Sequence, residues 1–97
     1  MHIVSIKTLR EFWESHPDAE QPLRAWYANA RRAQWRSPMD IKADYASASV
    51  VGGNRIVFNI KGNTYRLIVI AEYRKGRLFV RFVGTHSEYD RIDGATI

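Results

Sequence analysis

The chain contains no cysteine, which removes disulfides, thiolate catalysis and cysteine-ligated zinc from consideration. No apolar run approaches the roughly 18 residues that a membrane-spanning helix needs. The opening residues Met1-His2-Ile3-Val4-Ser5 lack a basic stretch followed by an apolar one, so no secretory leader is expected. There is no internal repeat, low-complexity tract or linker, and a chain of 97 residues has room for one hydrophobic core. A single domain over residues 1–97, working in the cytoplasm and away from membranes, is the expectation. Hydrophobic residues at 45% and charged residues at 26% are ordinary for a globular protein, which argues against disorder. What is scarce is acidic charge in one place. Residues 52–83 carry seven Lys/Arg against one Asp/Glu, a net +6, whereas residues 1–51 balance at +1 and residues 84–97 at −2. Such a segment attracts phosphate backbones through counterion release and electrostatic steering, or it serves as a solubilising surface.

The first half of the sequence has a helical period. Ile6, Leu9, Phe12 and Trp13 recur at helical spacing until Pro17. Asp18, followed three residues later by Gln21, has the spacing of a capping box, and Pro22 is tolerated within a first turn. Leu23, Trp26, Tyr27 and Ala30 then form one apolar stripe, which predicts a second amphipathic helix to about Trp35. Ser37-Pro38 closes it and predicts one more turn, with Ser37 as the cap and Asp40 near the positive helix end.

The second half has a period of two. Arg55 to Ile60 alternates, with Ile56, Phe58 and Ile60 on one face. Gly62-Asn63 turns, Tyr65 to Tyr73 is β-rich, and Lys75-Gly76 turns again into Leu78 to Val83. A short strand through Val50-Val51 precedes a turn at Gly52-Gly53-Asn54. Short connections imply an antiparallel meander. The expected fold class is therefore α+β: two N-terminal helices packed on one face of a three- to four-stranded antiparallel sheet, with a short C-terminal helical turn. The other face of the sheet is expected to be free.

Alternation sets Arg66, Ile68, Ile70, Glu72 and Arg74 opposite Tyr65, Leu67, Val69, Ala71 and Tyr73. In the next strand it sets Phe79, Arg81 and Val83 opposite Leu78, Val80 and Phe82. The arginines of these strands line the uncovered face or its rims, either to meet an anion or to blunt edge pairing. After the last strand, Thr85 and Glu88 have capping-box spacing, which sets His86 and Tyr89 three residues apart on one side of a turn. Histidine, tyrosine and arginine together suit RNA cleavage: a base for the 2′-hydroxyl, an acid for the 5′-oxygen, cations for the phosphorane. His2, His16 and His86 lack metal-ligand spacing and have no accompanying carboxylate cluster, so neither metal nor other cofactor is expected. Trp13 and Trp26 read as core or partner-binding anchors.

Two stretches, Phe58-Asn59-Ile60-Lys61-Gly62-Asn63-Thr64-Tyr65-Arg66-Leu67 and Thr85-His86-Ser87-Glu88-Tyr89-Asp90, resemble the paired signature of the HigB toxins of type II toxin–antitoxin systems, within the RelE/ParE-like superfamily. The resemblance extends over essentially the whole chain. It implies a RelE-like fold and a metal-independent endoribonuclease, an mRNA interferase that cuts translated mRNA on the ribosome and so arrests translation and growth. It also implies a cognate antitoxin, a helix-turn-helix protein of HigA type, with operator DNA met only through that antitoxin. Carried over by motif, Arg66 contacts the scissile phosphate, and His86 and Tyr89 assist proton transfer or position the RNA, with base and acid left open. Asn59, Lys61, Asn63, Arg74 and Arg81 are the candidate RNA-binding residues. A non-catalytic RNA- or ribosome-binding module and a ParE-like toxin directed at gyrase are the competing readings, and neither needs an acid–base pair.

Overall fold

The alternating segments of the second half pair as their periodicity implies. In a computed structural model that describes residues 1–94 and 97, β3 (Arg55–Ile60) and β4 (Tyr65–Glu72) run antiparallel with Ile56 opposite Val69, Phe58 opposite Leu67 and Asn59 opposite Arg66. β5 (Arg77–Thr85) lies antiparallel on the other side of β4, and β2 (Ser49–Val50) adds to the outer edge of β3. Ile56, Phe58, Ile60, Tyr65, Leu67, Val69, Ala71 and Leu78 face the helices and are buried with Leu9 and Trp13 of α1 (Ile6–Ser15) and Leu23, Trp26 and Ala30 of α2 (Glu20–Arg32). At about 25 cal/mol per Å² of apolar surface removed from water, this one interface dominates the stabilisation of the fold. Trp26 meets Phe58 edge-on, 5.4 Å between ring centroids. α3 (Pro38–Asp44) begins as its sequence predicts: the Ser37 hydroxyl accepts from the Asp40 amide, with proline in the first turn. No helix of the described residues is long and apolar enough to cross a membrane.

Several elements depart from the sequence expectation. Among the described residues the sheet has five strands in the order β1-β5-β4-β3-β2 and is mixed, because β1 (His2–Val4) joins the far edge parallel to β5. Three residues have no measurable period, and only the exposed edge of β5 makes them a strand. α2 stops at Arg32 and does not reach Trp35; Ala33 turns extended, and Trp35 is buried with its indole N–H donating to Asp44 at 2.8 Å. Asp18 caps nothing. It lies in a 3-10 turn, Pro17–Ala19, and α2 starts behind Ala19 without a side-chain cap.

A bulge in β5 matters most for the site. Ile68 pairs with Phe82 but Val69 pairs with Val80, so Arg81 is the extra residue. One inserted residue reverses the faces of everything beyond it. Val83 therefore packs against the core, and Phe82 turns to the outer face with Ile68, the reverse of strict alternation. That outer face is not free either. Val57 and Ile68 are buried there, and a methyl group on Gly94 would sit 3.7 Å from Ile68 Cδ1. The backbone oxygen of Ile97 accepts from Arg55 and from Arg81, so this residue and Gly94, beyond α4 (His86–Asp90), lie against the sheet.

Candidate active site

Arg66 is the second residue of β4, and its neighbours Tyr65 and Leu67 are committed to the core, so the pleat turns it outward. Its cross-strand partners are Asn59 on β3 and Gly84 on β5. Gly84 is buried beneath the Phe82 ring, where a Cβ would come within 2.5 Å of Phe82 Cζ and 3.2 Å of a Glu88 carboxylate oxygen. That close approach requires glycine. The half-buried guanidinium is held by carbonyls, Nη1 donating to Asn63 O at 3.2 Å and to Tyr65 O at 3.4 Å. Nη2 faces His86 Nδ1 at 3.0 Å, and Cζ lies 5.8 Å from the centroid of the Tyr89 ring.

His86 and Tyr89 reach this place because α4 starts where its sequence says. The Thr85 hydroxyl accepts from the Glu88 amide at 3.1 Å, and the Glu88 carboxylate accepts from the Thr85 amide at 2.8 Å, a complete capping box. The backbone and side-chain hydrogen bonds to Thr85 hold the Glu88 carboxyl below the usual range of its kind. The His86 amide donates to Thr64 O at 3.2 Å, which ties the start of α4 to the β3–β4 turn.

The geometry selects a tautomer for His86. Arginine can only donate, so Nδ1 must accept, and the neutral ring then carries its proton on Nε2. Nε2 faces the Asp90 carboxylate at 3.4 Å. The result is an exposed imidazole with a lone pair turned to a cation and an N–H turned to a carboxylate. A phosphate that takes Nη2 of Arg66 releases that lone pair for a proton. Among the described residues no three His, Asp or Glu side chains assemble where they could hold a metal ion.

The candidate residues divide. Arg66, His86 and Tyr89 converge. Asn59 is beside Arg66 in register and half-buried, and Asn63 is exposed in the turn that holds the guanidinium. Lys61 is turned to the helix layer, its ammonium 2.7 Å from Asp18. Arg81 stands on the bulge, nearer the middle of the sheet, with Nε on Ile97 O at 3.3 Å. Arg74 is removed altogether, because β4 ends at Glu72 and Tyr73–Lys75 form a 3-10 turn at the opposite end. The six strand steps from Arg66 to Glu72, at about 3.3 Å each, already put roughly 20 Å between Arg66 and that end. There Arg74 lines a concavity of about 360 Å³ with Arg36, Tyr73 and Lys75. Sequence reasoning missed Asp90, although four residues after His86 is a helical neighbour spacing. It also missed the two carbonyls of the turn, for which no side-chain pattern exists.

The chain as a whole is similar to known proteins. Residues 19–92 match the HigB_toxin family model, described as the RelE-like toxic component of a toxin–antitoxin system. The chain is 27% identical over 92 residues to a protein of Escherichia coli K12 named mRNA interferase toxin HigB, covering 93% of this chain and 88% of that one. A protein of E. coli O157:H7 named mRNA interferase HigB matches equally, at 27% over 92 residues with the same 93% and 88% coverage. One of E. coli O6:H1 with the same name is 22% identical over 94 residues, covering 95% of this chain and 91% of the relative.

Proposed function

The chain belongs to the HigB family of RelE-like toxins of toxin–antitoxin systems, and from that premise we propose that it is an mRNA interferase whose cutting centre is Arg66, His86 and Tyr89. The observation that carries the reading is the 3.0 Å approach of Arg66 Nη2 to His86 Nδ1, which joins a phosphate-binding cation to a proton acceptor. The 2′-hydroxyl of one nucleotide attacks the adjacent phosphorus as His86 Nδ1 takes its proton. Arg66, freed from the imidazole, donates to the equatorial oxygens of the phosphorane. Asp90 holds Nε2–H and stabilises the imidazolium that forms. The P–O5′ bond breaks in line with the attack, so the acid stands on the other side of phosphorus from the base. Tyr89 is the second proton-bearing group on α4, and the 5′-oxygen receives its proton. The products are a 2′,3′-cyclic phosphate and a 5′-hydroxyl, and solvent returns both side chains to their starting states.

Half of the His86 side chain is open to solvent, so binding alone does little to align an RNA. Alignment by the ribosome supplies what the site lacks, since a near-attack geometry is worth several orders of magnitude. Translated mRNA on the ribosome is therefore the substrate, in the cytoplasm. The donor set, one imidazole already directed at one carboxylate, does not make a cation site, and cleavage is expected to survive chelation. The family implies a cognate antitoxin; we take it to be of the helix-turn-helix HigA type, which meets operator DNA itself. Asn59 and Asn63, beside Arg66, bind RNA near the cut. Lys61, Arg81 and Arg74 are too committed or too distant for the scissile phosphate.

Primer extension on cellular mRNA after induction tests the reading. New 5′ ends should appear with the wild type and vanish with Arg66→Ala and His86→Ala. Growth arrest with unchanged mRNA ends would exclude an interferase and point to a surface-directed toxin. Normal cutting by both variants would exclude this centre.

A further inference from the structure

The β3–β4 turn contributes two backbone carbonyls to the centre. Asn63 O holds Arg66 Nη1, and Thr64 O receives the first amide of α4, that of His86. Any movement of residues 61–64 therefore moves the cation and the imidazole together. The turn is sharp: Lys61 and Gly62 are both left-handed, with φ of 54° and 62°, and the Thr64 amide closes on Lys61 O at 3.1 Å.

The residues on either side of this turn end on one carboxylate. Lys61 Nζ meets Asp18 Oδ2 at 2.7 Å, and the Tyr65 hydroxyl donates to Asp18 Oδ1. Asp18 belongs to the 3-10 turn between α1 and α2, 43 and 47 residues away in sequence. The Tyr65 ring is steadied in turn by Phe12 and His16, which stack on each other at 4.1 Å and meet it edge-on at 5.2 and 5.7 Å. The bonds from Lys61 and Tyr65 depress the Asp18 carboxyl, so it stays ionised wherever the toxin works. Yet the Asp18 and Lys61 side chains are 48% and 47% exposed, and a pair so well hydrated adds little to global stability. Its consequence is geometric.

We propose that Asp18 is a positioning residue for the cutting centre, clamping both ends of the β3–β4 turn through Lys61 and Tyr65 so that the turn's carbonyls hold Arg66 and His86 in alignment. The proposal rests on the reading of the centre given above. It gives the helix layer a part in the reaction, and it gives Lys61 a role other than RNA contact.

The test is cleavage of a translated mRNA on purified ribosomes, with kcat and the KM for programmed ribosomes measured separately, beside thermal melts. Asp18→Ala should lower kcat by about 10- to 100-fold, the scale of a sub-ångström to 1 Å misplacement, with KM and the melting midpoint nearly unchanged. Asp18→Asn keeps one acceptor oxygen where Asp18 uses two, so it can receive Lys61 or Tyr65 but not both, and should fall between Asp18→Ala and wild type. Tyr65→Phe, which keeps the ring packing, should lose several-fold and decides the matter if Asp18→Ala melts early. Combined with Arg66→Ala, the Asp18→Ala loss should shrink, because its effect runs through the group already removed. The proposal is overturned if Asp18→Ala and Tyr65→Phe stay within threefold of wild type while Arg66→Ala and His86→Ala lose about 10²-fold or more; the centre itself then stands. It is equally overturned if the double-variant losses multiply. Normal cutting by Arg66→Ala and His86→Ala removes the centre, and the positioning role with it.

Discussion

Thr85→Ala isolates the contribution of a single cap to the site. The substitution deletes the hydroxyl that accepts from the Glu88 amide at 3.1 Å and leaves the reciprocal Glu88 to Thr85 bond at 2.8 Å. Loss of a threonine N-cap costs about 1 kcal/mol. α4 has five residues and buries none of them; helices far shorter than about 12–15 residues do not sustain themselves. The cost therefore falls on the local equilibrium between docked and frayed α4, where 1 kcal/mol is roughly a fivefold change. Were α4 part of the global unit, the same 1 kcal/mol would lower the melting midpoint by about 4–8 °C. As a local event it should lower it by less, while amide exchange at Glu88, Tyr89 and Asp90 quickens about fivefold. Cleavage should fall by at most the same factor, in proportion to the docked fraction of α4, since His86 and Tyr89 both ride on it. Thr85→Ser keeps the acceptor and should behave like wild type. Unchanged exchange and cleavage in Thr85→Ala would refute the reasoning, as would a melting shift above about 8 °C without selective loss of activity.

Arg66→Ala should reduce single-turnover cleavage by about 10²- to 10³-fold, the range for losing one oriented transition-state donor. Arg66→Lys should regain no more than about tenfold of that, because a point charge cannot hold Asn63 O and a phosphate at once. Gly84→Ala places a Cβ 2.5 Å from Phe82 Cζ and should destabilise by about 1–3 kcal/mol, the usual cost of overpacking. Adding Phe82→Leu should restore much of the lost melting temperature; failure to do so would mean the clash is not with that ring. Asp18 and Glu88 both have carboxyls depressed below their ordinary 3.8 and 4.5. Their contribution is complete above those values and is lost as pH falls through the lower folded-state values. Both carboxylates are well hydrated, so the melting midpoint should decline only slightly on their account below about pH 4.5, while amide exchange in α4 should quicken as Glu88 is protonated and its bond to Thr85 is lost.

Local patterns were read correctly because their causes are local. The alternation of Arg55–Ile60 and Tyr65–Glu72, the Leu23-Trp26-Ala30 stripe, the Ser37 cap and the Thr85–Glu88 box each depend on residues a few positions apart. A buried face or an orphan amide then has one nearby solution. The convergence of Arg66, His86 and Tyr89 was legible for the same reason. Arg66 is outward by parity with Tyr65 and Leu67, and His86 and Tyr89 share a side of one capped turn.

What required the tertiary structure is whatever depends on competition between distant partners. Asp18 has the sequence context of a helix cap, but Lys61 and Tyr65 offer it a charged and a phenolic donor at once, and a carboxylate that can satisfy two donors does not stay with one amide. Nothing near Ile68 and Val69 announces that β5 inserts Arg81 opposite them. Yet that residue decides that Phe82 covers Gly84, that Val83 enters the core, and that the strand end arrives in phase to aim α4 at Arg66. Arg74 looked like a neighbour of Arg66 because parity has no length scale, and the strand between them separates the two ends of the sheet. Sequence alone thus determined the kinds of element and singled out the residues that cluster at the proposed centre. Tertiary structure decided the register, and with it which charged side chains meet at the centre and which are held elsewhere, because register is a balance among contacts that no short window of sequence contains.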